Sequence, residues 1–211
     1  MKKYPLLTIT DTPSAIILAN GDYPVHPLPL TLLTKVNYVV CCDGATDEFV
    51  RSGRIPVAIV GDGDSLSELN KKQFAHILHS VPDQDTNDLT KAFNYCLQQD
   101  KKNILILGAT GKREDHTLGN ISLLIDYIDE ANVEMVTDYG VFTPIAEDCE
   151  FESYPGQQVS IFNFSGAVIS QERLQYTLPP LNNWWQGTLN ASLDHHFIIH
   201  TTGKAVIFRA Y

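Results

Sequence analysis

The sequence predicts an α/β protein whose parallel sheet is covered by helices and is followed by a small all-β unit. Three observations carry that expectation. Up to about residue 140, short β-rich runs alternate with helical patterns, the order in which a parallel sheet with crossover helices is written. Beyond Thr137 no long helical period appears, and short alternating segments such as Gln158 to Phe162 and Phe197 to His200 take over. The chain has 211 residues, 44% of them hydrophobic, which is enough to bury a core for one large domain or two small ones.

The strand candidates are Ala15 to Ala19, Tyr38 to Cys42, Val57 to Val60, Ile77 to Val81, Ile104 to Leu107 and Val133 to Thr137. Ser65-Leu66-Ser67-Glu68 reads as a capping box that opens a helix running through Phe74. A second helix spans Leu89 to Gln98, with Asp88 in its first turn. Leu118, Ile121, Leu124, Ile125 and Ile128 recur at helical spacing, which predicts a helix from about Thr117 to Ile128 that buries this face. Asp115 and His116 then sit at its positive end. Near the end of the chain, Phe197 to His200, a turn through Gly203, and Ala205 to Phe208 read as a β-hairpin. The boundary between the two regions falls between Tyr139 and Asp148, giving domains of 1–142 and 143–211. The second is small for independent stability and is expected to lean on a partner.

Charge and cysteine content exclude several function classes. The formal charge is -10 and no Lys/Arg cluster is long enough to track a nucleic-acid backbone, so DNA and RNA are not expected partners. No apolar run approaches the roughly 20 residues that cross a bilayer, and Met1-Lys2-Lys3-Tyr4-Pro5 does not read as a secretory signal, so the expected location is cytoplasmic and away from membranes. Cys41, Cys42, Cys96 and Cys149 lack C-x-x-C spacing and read as reduced, buried thiols rather than a disulfide framework. The pairs His76 with His79 and His195 with His196 have no partners at zinc-ligand spacing.

The chemistry is concentrated in four acidic loops: Asp43-Gly44, Gly61 to Ser65, Asp83 to Asp88, and Gly108 to His116. Loops that leave the carboxyl ends of parallel strands converge on one crevice, so these carboxylates are expected to share a site. In Gly61-Asp62-Gly63-Asp64-Ser65, two carboxylates at i and i+2 can fold around one hard cation, although Asp and Gly are also ordinary turn residues. Asp85 and Asp88 add further carboxylates, and Asp88 can also serve as a dipole cap. Such a set suits Mg2+ and a polyphosphate, because the ion neutralises phosphate oxygens that bare carboxylates would repel. The loop Gly108 to His116 is not a Walker A sequence, since only two residues separate Gly108 from Gly111 and Arg113 stands where Ser or Thr would follow Lys112. Its glycines, two cations and adjoining helix N-terminus still suit phosphate. No G-x-G-x-x-G fingerprint is present, which argues against a dehydrogenase.

In this order, and followed by a small β unit, these loops resemble those of the thiamine pyrophosphokinase family, which transfers pyrophosphate from ATP to the hydroxyl of thiamine and releases AMP. The resemblance rests on Asp43-Gly44, the G-D-x-D-S loop (Gly61 to Ser65), the D-Q-D-x-x-D stretch (Asp83 to Asp88) and the R-x-D-H loop (Arg113 to His116). It implies a Rossmann-like catalytic domain with helices on both sheet faces, a β-sandwich that binds thiamine, and a homodimer with active sites between subunits. It assigns catalytic and metal roles to Asp62, Asp64 and Asp88, and ATP contacts to Asp43, Gly44, Ser65, Arg113, Asp115 and His116. Thiamine contacts fall to Gln84, Ser170, Tyr176 and Asn190, with Trp184 and Trp185 as rival stacking aromatics. The chain departs from the family pattern at Asn87 (usually Thr), at Lys112 (the second glycine of a G-G-R run), and over Gln171 to Gln175, which is more polar than usual. Two other readings remain open: a diphosphokinase for another hydroxymethyl heterocycle such as a pterin, and a non-catalytic thiamine or nucleotide sensor.

Overall fold

The computed structural model describes residues 1–81 and 85–211. In chain order its elements are β1 (Lys2–Tyr4), β2 (Ala15–Leu18), α1 (Pro27–Lys35), β3 (Val39–Cys42), α2 (Ala45–Arg51), β4 (Ala58–Gly61), α3 (Glu68–Gln73), β5 (Leu78–Ser80), α4 (Asp88–Gln98), β6 (Asn103–Leu107), α5 (Glu114–Tyr127) and β7 (Asn132–Val136). There follow β8 (Gly140–Ile145), β9 (Cys149–Glu152), β10 (Gln158–Asn163), β11 (Ile169–Glu172), β12 (Asn190–Ala191), β13 (His196–Thr201) and β14 (Ala205–Ala210). The chain divides into two compact units. An α/β unit comprises Ile9–Leu123 and Glu130–Asp138, and a β unit comprises Met1–Thr8, Leu124–Asp129 and Tyr139–Tyr211. The limit expected after residue 142 falls inside β8, and the first eight residues group with the β unit.

In the α/β unit the strands lie in the order β7-β6-β2-β3-β4-β5, every neighbouring pair parallel. Every residue of β2, β3 and β4 is buried, as expected for central parallel strands covered on both faces. Helix α4 turns Leu89, Ala92, Phe93 and Cys96 inward and packs against β3 and β4. The four cysteines are free and buried, and desolvation pushes the Cys96 and Cys149 thiols up to about 12, which keeps them protonated. Two local expectations change. The helix after the G-D-G-D-S loop is capped by Ser67 rather than Ser65, because Asp47 accepts from Ser67 N (3.2 Å), Ser67 Oγ (2.9 Å) and Asn70 Nδ2 (2.7 Å) and fixes the turn there. Helix α5 buries Leu124 and Tyr127, but Leu118 is 53% exposed and Ile121, Ile125 and Ile128 are only partly covered. Helical spacing decides which residues share a face, not whether anything covers it.

The β unit is a sandwich of two sheets, β1-β9-β13-β11 and β12-β10-β14-β8, in which β1 pairs parallel with β9 and the other pairs are antiparallel. Its core is drawn from both sheets. Tyr4, Phe151 and Phe197 stack at 5.0 and 5.1 Å and pack with Ile161, Ile199 and Ile207. Arg209, 2% exposed, lies over the Phe151 ring and donates to the carbonyls of Tyr4 (3.2 Å), Pro5 (3.1 Å) and Glu152 (2.9 Å), fastening β1 to the last strand. The expected hairpin of Phe197 to His200 with Ala205 to Phe208 does not form. Strands β13 and β14 belong to different sheets, and the turn between them, held by Thr201 Oγ1 against Gly203, crosses from one sheet to the other. Alternating apolar residues fit both arrangements, since Phe197, Ile199, Ala205 and Ile207 all point into the same core.

Candidate active site

The carboxyl ends of the parallel strands in the α/β unit carry loops that line one cleft of about 450 Å³. Asn20 follows β2, Asp43 follows β3, Asp62 to Ser65 follow β4, and Gly108 to Arg113 follow β6. The first turn of α4 supplies Asp88 and Lys91.

Asp43 is 1% exposed. Its Oδ2 accepts from Ser65 N at 2.9 Å, while its Oδ1 is buried with no hydrogen-bond partner among the described residues. A Cβ on Gly61 would lie 2.7 Å from the Asp43 Cβ and 3.4 Å from the Asp88 Cγ, so the bare Cα of Gly61 is where these two side chains come together. Burial raises the Asp43 pKa, the Ser65 N–H opposes that rise, and the charges of Asp88 and Asp62 reinforce it. Gly44, at the start of α2, also requires the absence of a side chain, since a Cβ there would meet Asn20 Nδ2 at 2.2 Å.

Asp62 lines the cleft, and its Oδ1 accepts from Asp64 N at 3.0 Å. Asp88 pairs with Lys91 Nζ at 3.3 Å, and the Lys91 side chain is only 5% exposed. Asn87 caps α4 by accepting from Thr90 N at 2.9 Å, the role expected of Asn at this position. In the loop after β6, Lys112 Nζ donates to Asn20 Oδ1 at 3.1 Å, and Arg113 holds Asp115 through Nε (3.0 Å) and a terminal guanidinium nitrogen (2.5 Å). The Arg113 hydrogen bonds bring the Asp115 carboxyl down to about 2.

Of the residues named from sequence, Asp62, Ser65, Asp88, Arg113 and His116 line the cleft. Asp43 lies under Gly61 and Gly44 touches Asn20. Asp64 and Asp115 are exposed and outside the lining, and Gln84 lies outside the described residues. Ser170, Tyr176 and Asn190 belong to the β unit. Ser170 is exposed on β11 opposite His200, whose ring bridges Asp148 Oδ2 (2.7 Å) and Glu172 Oε1 (3.0 Å). Tyr176 is 57% exposed. Asn190 is buried, and its amide clamps the Tyr176 backbone, accepting from its N–H (3.0 Å) and donating to its carbonyl (2.8 Å). Trp184 is half-exposed against Phe164 and Trp185 is more exposed. Sequence reasoning missed Asn20, Lys91 and Asn120 in the cleft lining. Two of these had a signal: Asn20 directly follows a strand candidate, and Lys91 stands three residues after Asp88 on a helix.

The donors suit a hard cation. They are carboxylate oxygens, and one of them, Asp43 Oδ1, is buried without a partner. Among the described residues, no three His, Cys, Asp or Glu side chains are grouped tightly enough to cage a metal.

Two family models match the chain. One, described as thiamin pyrophosphokinase, catalytic domain, covers residues 30–137, and the other, thiamin pyrophosphokinase, substrate-binding domain, covers 140–208. The chain is 34% identical over 116 residues to thiamin pyrophosphokinase 1 of Caenorhabditis elegans, covering 51% of this chain and 47% of that protein. It is 38% identical over 86 residues to thiamine pyrophosphokinase of Bacillus subtilis (strain 168), covering 39% and 40%. The chain thus spans about half the length of the curated relatives it matches. Its fold is similar to the solved thiamin pyrophosphokinase from Candida albicans, with a TM-score of 0.79 at 16% identity over 99% of this chain and 92% of that one.

Proposed function

Since this chain belongs to the thiamin pyrophosphokinase family, we propose that it transfers a pyrophosphoryl group from ATP to the hydroxyl of thiamine, giving thiamine diphosphate and AMP. The observation that carries this reading is the cleft itself, where Asp62 and Asp88, with the buried Asp43 beside them, share one lining with Lys91, Lys112 and Arg113. In the reaction the thiamine oxygen bonds to the β-phosphorus and the bond from that phosphorus to the α,β-bridging oxygen breaks. AMP leaves with the bridging electron pair, and the hydroxyl proton passes to a carboxylate of the cluster or to water. Phosphoryl-type transfer asks the protein mainly for positioning and charge neutralisation. Asp62, Asp64 and Asp88 would hold Mg2+, with Asp43 Oδ1 available behind them, and bound magnesium neutralises phosphate oxygens. Lys91 keeps Asp88 fixed, and Asp115 orients Arg113 toward a nucleotide.

The remaining assignments complete the proposal. Asp43, Gly44, Ser65, Arg113, Asp115 and His116 form the ATP set, and Gln84, Ser170 and Tyr176 the thiamine set. Asn190 acts by holding Tyr176 in place. The protein works in the cytoplasm as a homodimer with sites between subunits, and it uses neither nucleic acid nor membrane. Among the described residues, no helix is long and apolar enough to cross a membrane.

Asp64→Asn tests the reading, because Asp64 is exposed and, among the described residues, its side chain accepts no hydrogen bond. AMP release with ATP, magnesium and thiamine should fall by about a hundredfold or more, at an unchanged melting temperature. Near-normal turnover in the folded variant would remove the metal assignment. Parallel assays with thiamine and a pterin alcohol identify the acceptor.

A further inference from the structure

Among the described residues, three permanent cations line the cleft: Lys91, Lys112 and Arg113. Among the described residues, two of them are neutralised by a carboxylate, Lys91 by Asp88 and Arg113 by Asp115. Lys112 differs, because the partner of its ammonium is the neutral side-chain oxygen of Asn20, at 3.1 Å. A neutral acceptor positions a cation without cancelling its charge. The ammonium keeps two further N–H donors for a ligand in the same lining.

The backbone at this residue points the same way. Lys112 has φ +58°, in the left-handed region that glycine enters freely and other residues enter at a steric penalty. It directly follows Gly111, itself at φ +79°, and the Arg113 N–H closes a tight turn over it onto the Gly111 carbonyl at 2.7 Å. A residue without a side chain would satisfy this turn better. The chain instead carries a long cation there, and strain of this kind persists where the surrounding structure uses it. The cleft also has a need for such a cation. Asp43 and Asp62 set a negative potential that a phosphate chain must approach, and the Lys91 and Arg113 charges are already matched by Asp88 and Asp115.

We propose that Lys112, held by Asn20, is a polyphosphate-binding residue of this cleft, contacting the phosphate chain of the nucleotide and so favouring nucleoside triphosphates over nucleosides. The inference rests on the reading of the cleft as the ATP site. Lysine serves this role as a mobile point charge, and the Asn20 contact restricts that mobility.

The test measures binding of ATP and of adenosine to the full chain in the presence of magnesium, for the parent protein and for Lys112→Gln, Lys112→Gly and Lys112→Arg, together with thermal melting. Lys112→Gln and Lys112→Gly should weaken ATP binding by about tenfold, the worth of one charge-assisted hydrogen bond, and leave adenosine binding unchanged. Lys112→Arg should retain ATP affinity to within about threefold. Lys112→Gly should melt no lower than the parent, because it relieves the left-handed backbone while losing the ligand contact. ATP affinity in Lys112→Gln within about twofold of the parent, or equal losses for ATP and adenosine, would overturn the assignment and leave the reading of the cleft standing. A lower melting temperature for Lys112→Gly would overturn the strain argument. If the parent protein binds no ATP, the reading of the cleft fails and the role of Lys112 falls with it.

Discussion

Asp43→Asn should make the protein more stable and less able to use magnesium. The parent buries a carboxylate at 1% exposure with one oxygen bonded to Ser65 N and the other without a partner, beside Asp62 and Asp88. An amide keeps the acceptor for Ser65 and places a donor where the orphaned oxygen stood, next to two carboxylates. An unsatisfied buried acceptor costs about 1–3 kcal/mol, so the variant should gain about 2 kcal/mol, and its melting temperature should rise by about 4–8 °C for a chain of this length. The pH dependence has a definite sign. The Asp43 pKa is raised above its ordinary 3.8, so in the window that opens at 3.8 and runs up to the raised value the folded state holds more protons than the unfolded state. Parent stability therefore falls as pH rises through that window, and the variant lacks this loss. The assay is thermal melting of both proteins across pH, with and without magnesium. The gap should be full near neutral pH, narrow toward pH of about 4, and be offset by magnesium, which stabilises the parent by mass action more than the variant. A variant that melts at or below the parent at neutral pH, a gap independent of pH, or equal stabilisation of both proteins by magnesium would refute this reasoning.

Other perturbations probe the β unit. Arg209→Met removes three hydrogen bonds to carbonyls and should destabilise by about 3 kcal/mol, with amide exchange rising first across Lys2–Tyr4; exchange that rises evenly over the unit would contradict the fastening role. Asn190→Ala should cost about 2 kcal/mol and loosen Tyr176, whereas an unchanged melting temperature with lower thiamine affinity would make Asn190 a direct ligand contact. His200 is raised from 6.5 by Asp148 and then Glu172, so its bridge stabilises fully below 6.5 and is lost as pH rises through the raised value. A ring titration by NMR should move back toward 6.5 in Asp148→Asn, and an unmoved midpoint would show that the contact does not persist in solution.

The central strands were legible because nothing competes with their pattern. Ala15–Leu18, Val39–Cys42 and Ala58–Gly61 are continuous apolar runs, and burial on both faces leaves no polar residue to obscure them. Helix α1 is absent from the elements expected from sequence, and it carries Pro27 and Pro29 in its first turn, where the missing N–H of Pro removes no bond. The cap at Ser67 depends on Asp47, twenty residues earlier in the chain, and the crossing from β13 to β14 depends on which sheet each strand joins. Neither is a local property. The acidic loops announced the candidate site because the end of a parallel strand is a position a sequence reveals. The burial of Asp43, the pairing of Lys91 and the neutral anchor of Lys112 arise only when separate loops meet.

The fastening of β1 by Arg209 has a consequence for synthesis. During translation the α/β unit has all its residues by position 138, while the opening strand Lys2–Tyr4 must wait for β9 to pair and for residue 209 to fasten it. A segment made before the whole α/β unit is therefore secured only after that unit has all its residues. Until then Tyr4 has no Phe151 to stack on, and a β-forming segment stays available to other chains. The completed β unit should accordingly appear late in co-translational folding, after the sheet that carries the acidic loops has already closed around its core.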